Sequence, residues 1–362
     1  MRHSPRPRNP TPDLARDSRA ARFFKSSAEA FRRAARTAGA SVDRYYRLDG
    51  HSLRLRFASA APASVVMPAL EHLAAGPDGA PALTVWLWDT QSTGVDMPPP
   101  PWPVDGFVRA KEGWRLDGPR YRISHEPGSG AFQLLDKQRR LAIVHWTAAD
   151  RLPQYERGSP LLALLQWWMD RRRVGLIHAA AVGTEEGGVL LVGRGGSGKS
   201  TAALACLSAG LRYVGDDYCL LSFRPGPYVS SLYNSAKVSL DQVDRFPLLK
   251  PSLSAHSDPE SGKALCFIHR CRPSSLWPGF PVRAVLVPRV TGRPGTTLQS
   301  ISPARALLAV APSSIFHFQG QGDRALRRLG RLVKQVPCYA LDAGTDLAGI
   351  AETVRGLETG RS

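Results

Sequence analysis

Residues 188–201 read GVLLVGRGGSGKST. Val189-Leu190-Leu191-Val192 is an apolar run of the kind a strand buried on both faces shows. Gly193-x-x-x-x-Gly198-Lys199-Ser200 follows directly, and residues 201–209 favour helix until Gly210. A strand, a glycine-rich turn and a helix N-terminus make an anion cradle. Glycines let backbone amides approach phosphate oxygens, and the helix end favours negative charge. The loop residues are Gly193, Arg194, Gly195, Gly196, Ser197 and Gly198, with Lys199, Ser200 and Thr201 opening the helix. A lysine here reaches the β- and γ-phosphates, and the Ser200 hydroxyl serves Mg²⁺. The cofactors expected are a nucleoside triphosphate, taken as ATP although the loop does not tell ATP from GTP, and Mg²⁺.

What is done with the phosphates is decided outside the loop. The chain has no NKxD guanine box and no LSGGQ-like signature, which sets it apart from Ras-type GTPases and transport ATPases. Downstream, Leu211-Arg212-Tyr213-Val214-Gly215-Asp216-Asp217 predicts a short strand ending in two carboxylates. Beside a phosphate loop, one carboxylate can hold Mg²⁺ while the other accepts a proton from an attacking hydroxyl. Upstream, residues 176–182 predict a strand containing His178, and Glu185-Glu186-Gly187-Gly188 turns it into the loop strand. A single histidine on a strand is ordinarily a core residue, so the pattern alone assigns His178 no role.

Taken together, residues 177–221 (IHAAAVGTEEGGVLLVGRGGSGKSTAALACLSAGLRYVGDDYCLL) resemble the HPr kinase/phosphorylase family and its kinase-like relatives. In that family a histidine stands one strand before the phosphate loop, and paired aspartates close the strand after the loop helix. His178, Lys199 and Asp216-Asp217 keep that order and spacing. The resemblance implies an α/β P-loop kinase core of the type shared with phosphoenolpyruvate carboxykinase, acting on serine. It implies Asp217 as proton acceptor, Asp216 with Ser200 on the metal, and His178 beside Asp217 or the phosphate. A weaker likeness covers residues 231–237, 263–265, 281–287 and 307–347. It is to relatives encoded near ribosomal-peptide pathways, lasso peptides among them, some of which phosphorylate a precursor-peptide serine. The glycine-rich signature that follows the paired aspartates in true HPr kinases is missing. That points away from HPr as substrate and from reverse phosphorolysis.

The rest of the chain sets the context. Its 362 residues are 43% hydrophobic and 22% charged, enough apolar content for a core and too much for a wholly disordered chain. The net charge is +18, which favours anionic partners. Residues 1–25 read as a disordered basic tail. Residues 26–150 read as a β-rich N-terminal domain, and residues 151–356 as the P-loop domain. Ser26-x-x-Glu29 suggests a capping box for a helix over 28–38. Residues 44–57 alternate around Asp49-Gly50 as a hairpin, and strands are predicted at 83–87, 121–124, 131–135 and 141–146. Ser159-Pro160 suggests the cap and first residue of a helix ending at Arg171-Arg172-Arg173. Near the end, Ala325, Leu329, Leu332, Val333 and Val336 share one helical face, with arginines on another.

Five cysteines form no CxxC, no apolar run is long enough to span a bilayer, and the first residues lack a signal-peptide core. The expected setting is cytoplasmic, without a membrane partner. The favoured function is an ATP- and Mg²⁺-dependent kinase for a serine hydroxyl on a peptide or small protein. The alternative is a nucleotide-binding sensor or assembly module without phosphoryl transfer. A nucleic-acid partner is not expected, because helicase-type, RNP-like and finger motifs are missing. A homo-oligomer is compatible with the chain.

Overall fold

The computed structural model describes residues 12–101, 114–126, 128–254, 262–315 and 322–358, and shows a mixed α/β protein. The chain divides into two compact units. The first is made of residues 1–45, 52–65 and 75–153, and the second of 46–51, 66–74 and 154–362.

The first unit is built on an eight-stranded sheet. The elements along residues 12–146 are α1 (Pro12–Thr37), β1 (Val42–Leu48), β2 (His51–Phe57), α2 (Ala60–Leu70), β3 (Ala74–Ala75), β4 (Leu83–Asp89), α3 (Thr90–Thr93), β5 (Trp114–Asp117), β6 (Tyr121–Glu126), β7 (Ala131–Asp136) and β8 (Leu141–Trp146), of which the β1–β2 turn and the second half of α2 count with the second unit. The strand order is β3-β1-β2-β4-β8-β7-β6-β5. The predicted hairpin turns at Asp49 and Gly50, both left-handed, as a two-residue hairpin loop requires. The strands expected at 83–87, 121–124, 131–135 and 141–146 are β4, β6, β7 and β8.

Two expectations need correction here. Helix begins at Pro12, and Ala20, Phe23 and Phe24 are buried with Trp88, Ile123 and Leu134. A disordered tail therefore does not extend to residue 25, while residues 1–11 lie outside the described residues. Ser26 and Ser27 are not caps either. Their hydroxyls donate back to the Arg22 and Phe23 carbonyls, at 3.1 and 2.8 Å, inside the helix.

The second unit holds α4 (Gln154–Gly158), α5 (Leu162–Asp170), β9 (Gly175–Ile177), β10 (Ala179–Gly183), β11 (Gly188–Val192), α6 (Lys199–Ser208), β12 (Arg212–Gly215), β13 (Cys219–Phe223), β14 (Pro227–Ser230), β15 (Ser235–Ser239), β16 (Lys263–Phe267), β17 (Gly279–Val290), β18 (Thr297–Ser300), α7 (Pro303–Ile315), α8 (Gly322–Gln335), β19 (Cys338–Ala343) and α9 (Leu347–Glu358). Helix α5 starts at Leu162, after a left-handed Leu161, so Ser159 and Pro160 precede the helix rather than cap it.

Alternation along β10 and β11 explains the layering. Ala180, Val182, Val189 and Leu191 pack with α6 and α9, while Ala179, Ala181, Leu190 and Val192 pack with α7 and α8. A strand apolar on both faces needs helices on both faces, which accounts for the unbroken apolar runs. β11 pairs antiparallel with β10 and parallel with β17; β17 pairs onward with β19 and β14. The predicted strand over 176–182 is in fact two strands, β9 and β10, which interrupt at His178 and pair with different neighbours.

Candidate functional site

The glycine loop leaves β11 at Val192 and enters α6 at Lys199. Gly193, Gly196 and Gly198 have φ of +143°, +77° and +98°, values that L side chains resist. A Cβ on Gly193 would stand 2.9 Å from Ser197 Oγ, and one on Gly198 would stand 3.2 Å from Val290 Cγ2. The two glycines fixed by the sequence pattern are thus hindered by their neighbours as well as by their torsions. Gly195 and Gly196 have open space around them. Arg194, Gly195 and Gly196 face solvent, and Ser197, Ser200 and Thr201 are half-buried.

Lys199 is 6% exposed and folds back over the loop, where its Nζ donates to the Gly193 and Arg194 carbonyls at 2.8 and 3.1 Å. Burial holds its pKa below the usual lysine value, and the carboxylates of Asp216 and Asp217 only partly offset that. The lysine therefore lies within the field of both aspartates.

Sheet register brings the other groups to the same edge. Ala179 of β10 lies opposite Val192 at the end of β11, and Ala181 lies opposite Gly215 at the end of β12. His178, the start of the loop and Asp216-Asp217 therefore share one end of the sheet. His178 sits in the gap between β9 and β10, and its backbone N–H donates to Ser314 Oγ of α7 at 3.0 Å. Its Nε2 is 3.4 Å from Asp217 Oδ1, and its ring tilts against Tyr218 with centroids 5.6 Å apart.

The two aspartates occupy different environments. Asp216 is 2% exposed; its Oδ1 accepts the Asp217 N–H at 2.9 Å, and its buried Oδ2 meets no hydrogen-bond donor. Burial and the neighbouring Asp217 charge push its pKa up, opposed by the Ser200 hydroxyl and Lys199. Asp217 has φ of +65°, a left-handed conformation unusual for a residue with a Cβ. Burial would raise its pKa, but the His178 hydrogen bond and the Lys237 ammonium overcome that and hold it well below the usual carboxylate range. Lys237 Nζ is 2.7 Å from Asp217 Oδ2.

Lys237 had no role in the sequence reading. It projects from β15, whose approach is held by Asn234, a fully buried residue. Asn234 Nδ2 donates to the Pro68 and Ala69 carbonyls at 2.8 and 3.0 Å, and its carbonyl accepts the Ile268 N–H at 3.0 Å. The one available signal was its place in the run 231–237, quoted above only for family likeness.

The site thus combines a glycine cradle at a helix N-terminus, a buried lysine, a buried carboxylate with one open acceptor, and a carboxylate held between the Lys237 ammonium and the His178 ring. That is the equipment to hold phosphate oxygens and to orient a hydroxyl. Neither a family model nor a curated protein sequence matches the chain. Among solved structures it is similar to the HPr(Ser) kinase/phosphatase from Coxiella burnetii, of the family that residues 177–221 resemble. The identity is 13%, with 51% of this chain and 91% of that chain covered, and the TM-score is 0.28. A superposition that loose transfers nothing, and the functional reading stands on the geometry of the site.

Proposed function

We propose that this chain is an ATP- and Mg²⁺-dependent kinase that phosphorylates a serine hydroxyl on a peptide or small protein. The observation that carries the reading is the convergence of the glycine loop, Lys199 and the Asp216-Asp217 pair at one end of the sheet.

The residues fit the cofactors. Gly193, Gly196 and Gly198 hold positive φ that side chains resist, the backbone form that lets loop amides turn toward phosphates. Asp216 Oδ2 is a buried oxygen without a donor, beside the Ser200 hydroxyl. That pair offers hard oxygen ligands, and Mg²⁺ commonly takes only one or two protein groups with the phosphates completing its shell. Among the described residues no larger cluster of His, Cys, Asp or Glu competes for a metal. Bound there, the ion supplies charge neutralisation on the phosphate oxygens.

The chain's own groups do the rest. Lys199 leaves the loop carbonyls for the phosphates, a better partner for a desolvated ammonium. Asp217 accepts the hydrogen bond of the incoming serine and takes its proton as the new bond forms. Its lowered pKa makes it a weak base. In a loose phosphoryl-transfer transition state the hydroxyl has lost little proton, so orientation counts for more than base strength. His178 and Lys237 fix that orientation by holding one carboxylate oxygen each. Among the described residues no helix is long and apolar enough to cross a membrane. The five free cysteines suit a reducing compartment, so a cytoplasmic setting belongs to the same proposal.

The test is transfer of γ-labelled phosphate from ATP to a serine-containing peptide library. Label is expected on serine, and Asp217→Asn should bind ATP yet transfer about 10²–10⁴-fold more slowly. ATP binding with no transfer to any peptide would favour the sensor reading instead.

A further inference from the structure

An arginine-rich face lies at the end of β9 and β13 away from the site. Arg171 and Arg173 follow α5, Arg224 follows β13, and Arg324, Arg327 and Arg331 occupy successive turns of α8; all six are exposed. Specific contacts fix Arg224, Arg324 and Arg331, and chain position places Arg171, Arg173 and Arg327 beside them. Arg324 Nη1 and Arg328 Nη2 reach the Asp170 carboxylate at 2.9 and 3.5 Å, tying α8 to the end of α5. Arg328 crosses over Gly175, where any side chain would collide with it. Arg224 donates to the Arg172 carbonyl at 2.9 Å, and the Arg331 guanidinium lies 4.2 Å over the Phe223 ring. Asp170 is 5% exposed and sits behind the face; Asp323, exposed in the first turn of α8, is outnumbered by the arginines, so the outward surface is cationic. The field reaches His51, whose pKa is lowered by burial first and then by Arg172 and Arg224.

Concentrating like charge destabilises the surface that carries it, and an anion meeting that surface relieves the repulsion. The chemistry favours carboxylates over nucleic acid. Single-stranded nucleic acid is held by open aromatic faces as well as by charge. Here the two rings beneath the cluster are already covered, Trp168 by Arg172 at 4.5 Å and Phe223 by Arg331. Guanidinium groups so anchored present fixed forks that suit carboxylates pairwise. Position agrees with a role in substrate capture. β13 (Cys219–Phe223) lies between Asp217 and Arg224, so at ~3.3 Å per residue they stand at most roughly 20 Å apart.

We propose that this arginine face docks an acidic segment of the substrate peptide, with the phosphorylated serine lying roughly six or seven extended residues away. The docking role rests on the kinase reading; the binding itself does not.

The experiment measures anisotropy of a fluorescein-labelled peptide of alternating Glu and Ser, against its Gln–Ser counterpart and a single-stranded RNA oligonucleotide, all without nucleotide. The full chain should bind the acidic peptide, with affinity falling as salt rises, and should bind the neutral peptide and the RNA more weakly. The Arg171→Glu/Arg327→Glu double variant should lose at least about tenfold in affinity, equivalent to ~1.4 kcal/mol. Arg171→Gln/Arg327→Gln, gentler on folding, should lose less in the same direction. A charge-matched pair elsewhere, Arg36→Glu/Arg139→Glu, should bind as wild type. Lys199→Ala should also bind the peptide normally, so a failure of the nucleotide reading leaves this result intact. Equal affinity in both Arg171/Arg327 variants, equal loss in the charge-matched control, or tighter binding of RNA than of peptide would each overturn the proposal.

Discussion

Lys237 Nζ lies 2.7 Å from Asp217 Oδ2, so the carboxylate read as the proton acceptor is ion-paired by a strand far from it in sequence. Lys237 is one of the groups that hold the Asp217 pKa down. Lys237→Met should therefore raise that pKa and move the acid limb of kcat/KM to higher pH, because the base then stays protonated further up the scale. Lys237→Arg should restore the wild-type limb. An acid limb unmoved in Lys237→Met would show that the pair has no part in setting the base.

Lys199→Ala should weaken ATP binding by about tenfold or more, the equivalent of one charge-assisted contact. The lysine spends its hydrogen bonds on carbonyls of its own loop, so the fold should survive its removal. Calorimetry with ATP, alongside a melting curve, checks both halves.

The loop glycines should separate cleanly. Gly195→Ala meets open space at an unremarkable φ and should keep ATP affinity. Gly198→Ala combines a φ of +98° with a Cβ pressed toward Val290 and should lose most of it. Equal affinities for the two variants would contradict the cradle geometry.

Phe24 is 2% exposed among α1 and its sheet, and its ring lies 5.7 Å from that of Tyr121. Phe24→Ala should cost about 3–5 kcal/mol in unfolding free energy. Chemical denaturation giving less than about 1 kcal/mol would mean that α1 is dispensable to the first unit.

His145 is 4% exposed, bonded through Nε2 to Thr90 Oγ1 at 2.9 Å, and burial lowers its pKa to about 4. The unfolded ring takes up its proton near pH 6.5 and the folded ring does not. Stability contributed by the neutral ring is complete above pH 6.5 and falls between there and about 4. The slope should approach about 1.4 kcal/mol per pH unit. His145→Gln should flatten that part of the stability profile, and an unchanged slope would argue against it.

The glycine loop, its strand and its helix were legible because all their signals are local: an apolar run, glycines where torsions need them, and a helix former. Asp216 and Asp217 were legible for the same reason, lying just beyond a strand. The clamp on Asp217 was not, because Lys237 arrives through β15, and nothing near Lys237 in sequence announces a distant carboxylate. The break at His178 was hidden by an unbroken apolar run that reads as one strand. Ser26-x-x-Glu29 misled because a serine inside a helix can bond its own preceding turn, so the same letters serve a start and a middle. α2 was not read from the sequence, and its two prolines are placed where a helix bears them best. Pro62 falls in the first turn, where its absent N–H costs nothing, and Pro68 falls in the last.

β17 is the strand of the nine-stranded sheet that pairs with β11, β14 and β19. Its far end, Pro288 and Val290, stands against Gly198 at the mouth of the loop. Its near end, residues 279–281, is laced to β14, and the chain runs from β14 through Asn234 into β15 and Lys237. The phosphate cradle thus touches one end of β17, while the chain that leads to Lys237 departs from the strand paired with its other end. β17 is paired on both sides, with β11 and β14 among its neighbours, so a substitution that shifts it would disturb the Gly198 contact and the path toward Lys237 together.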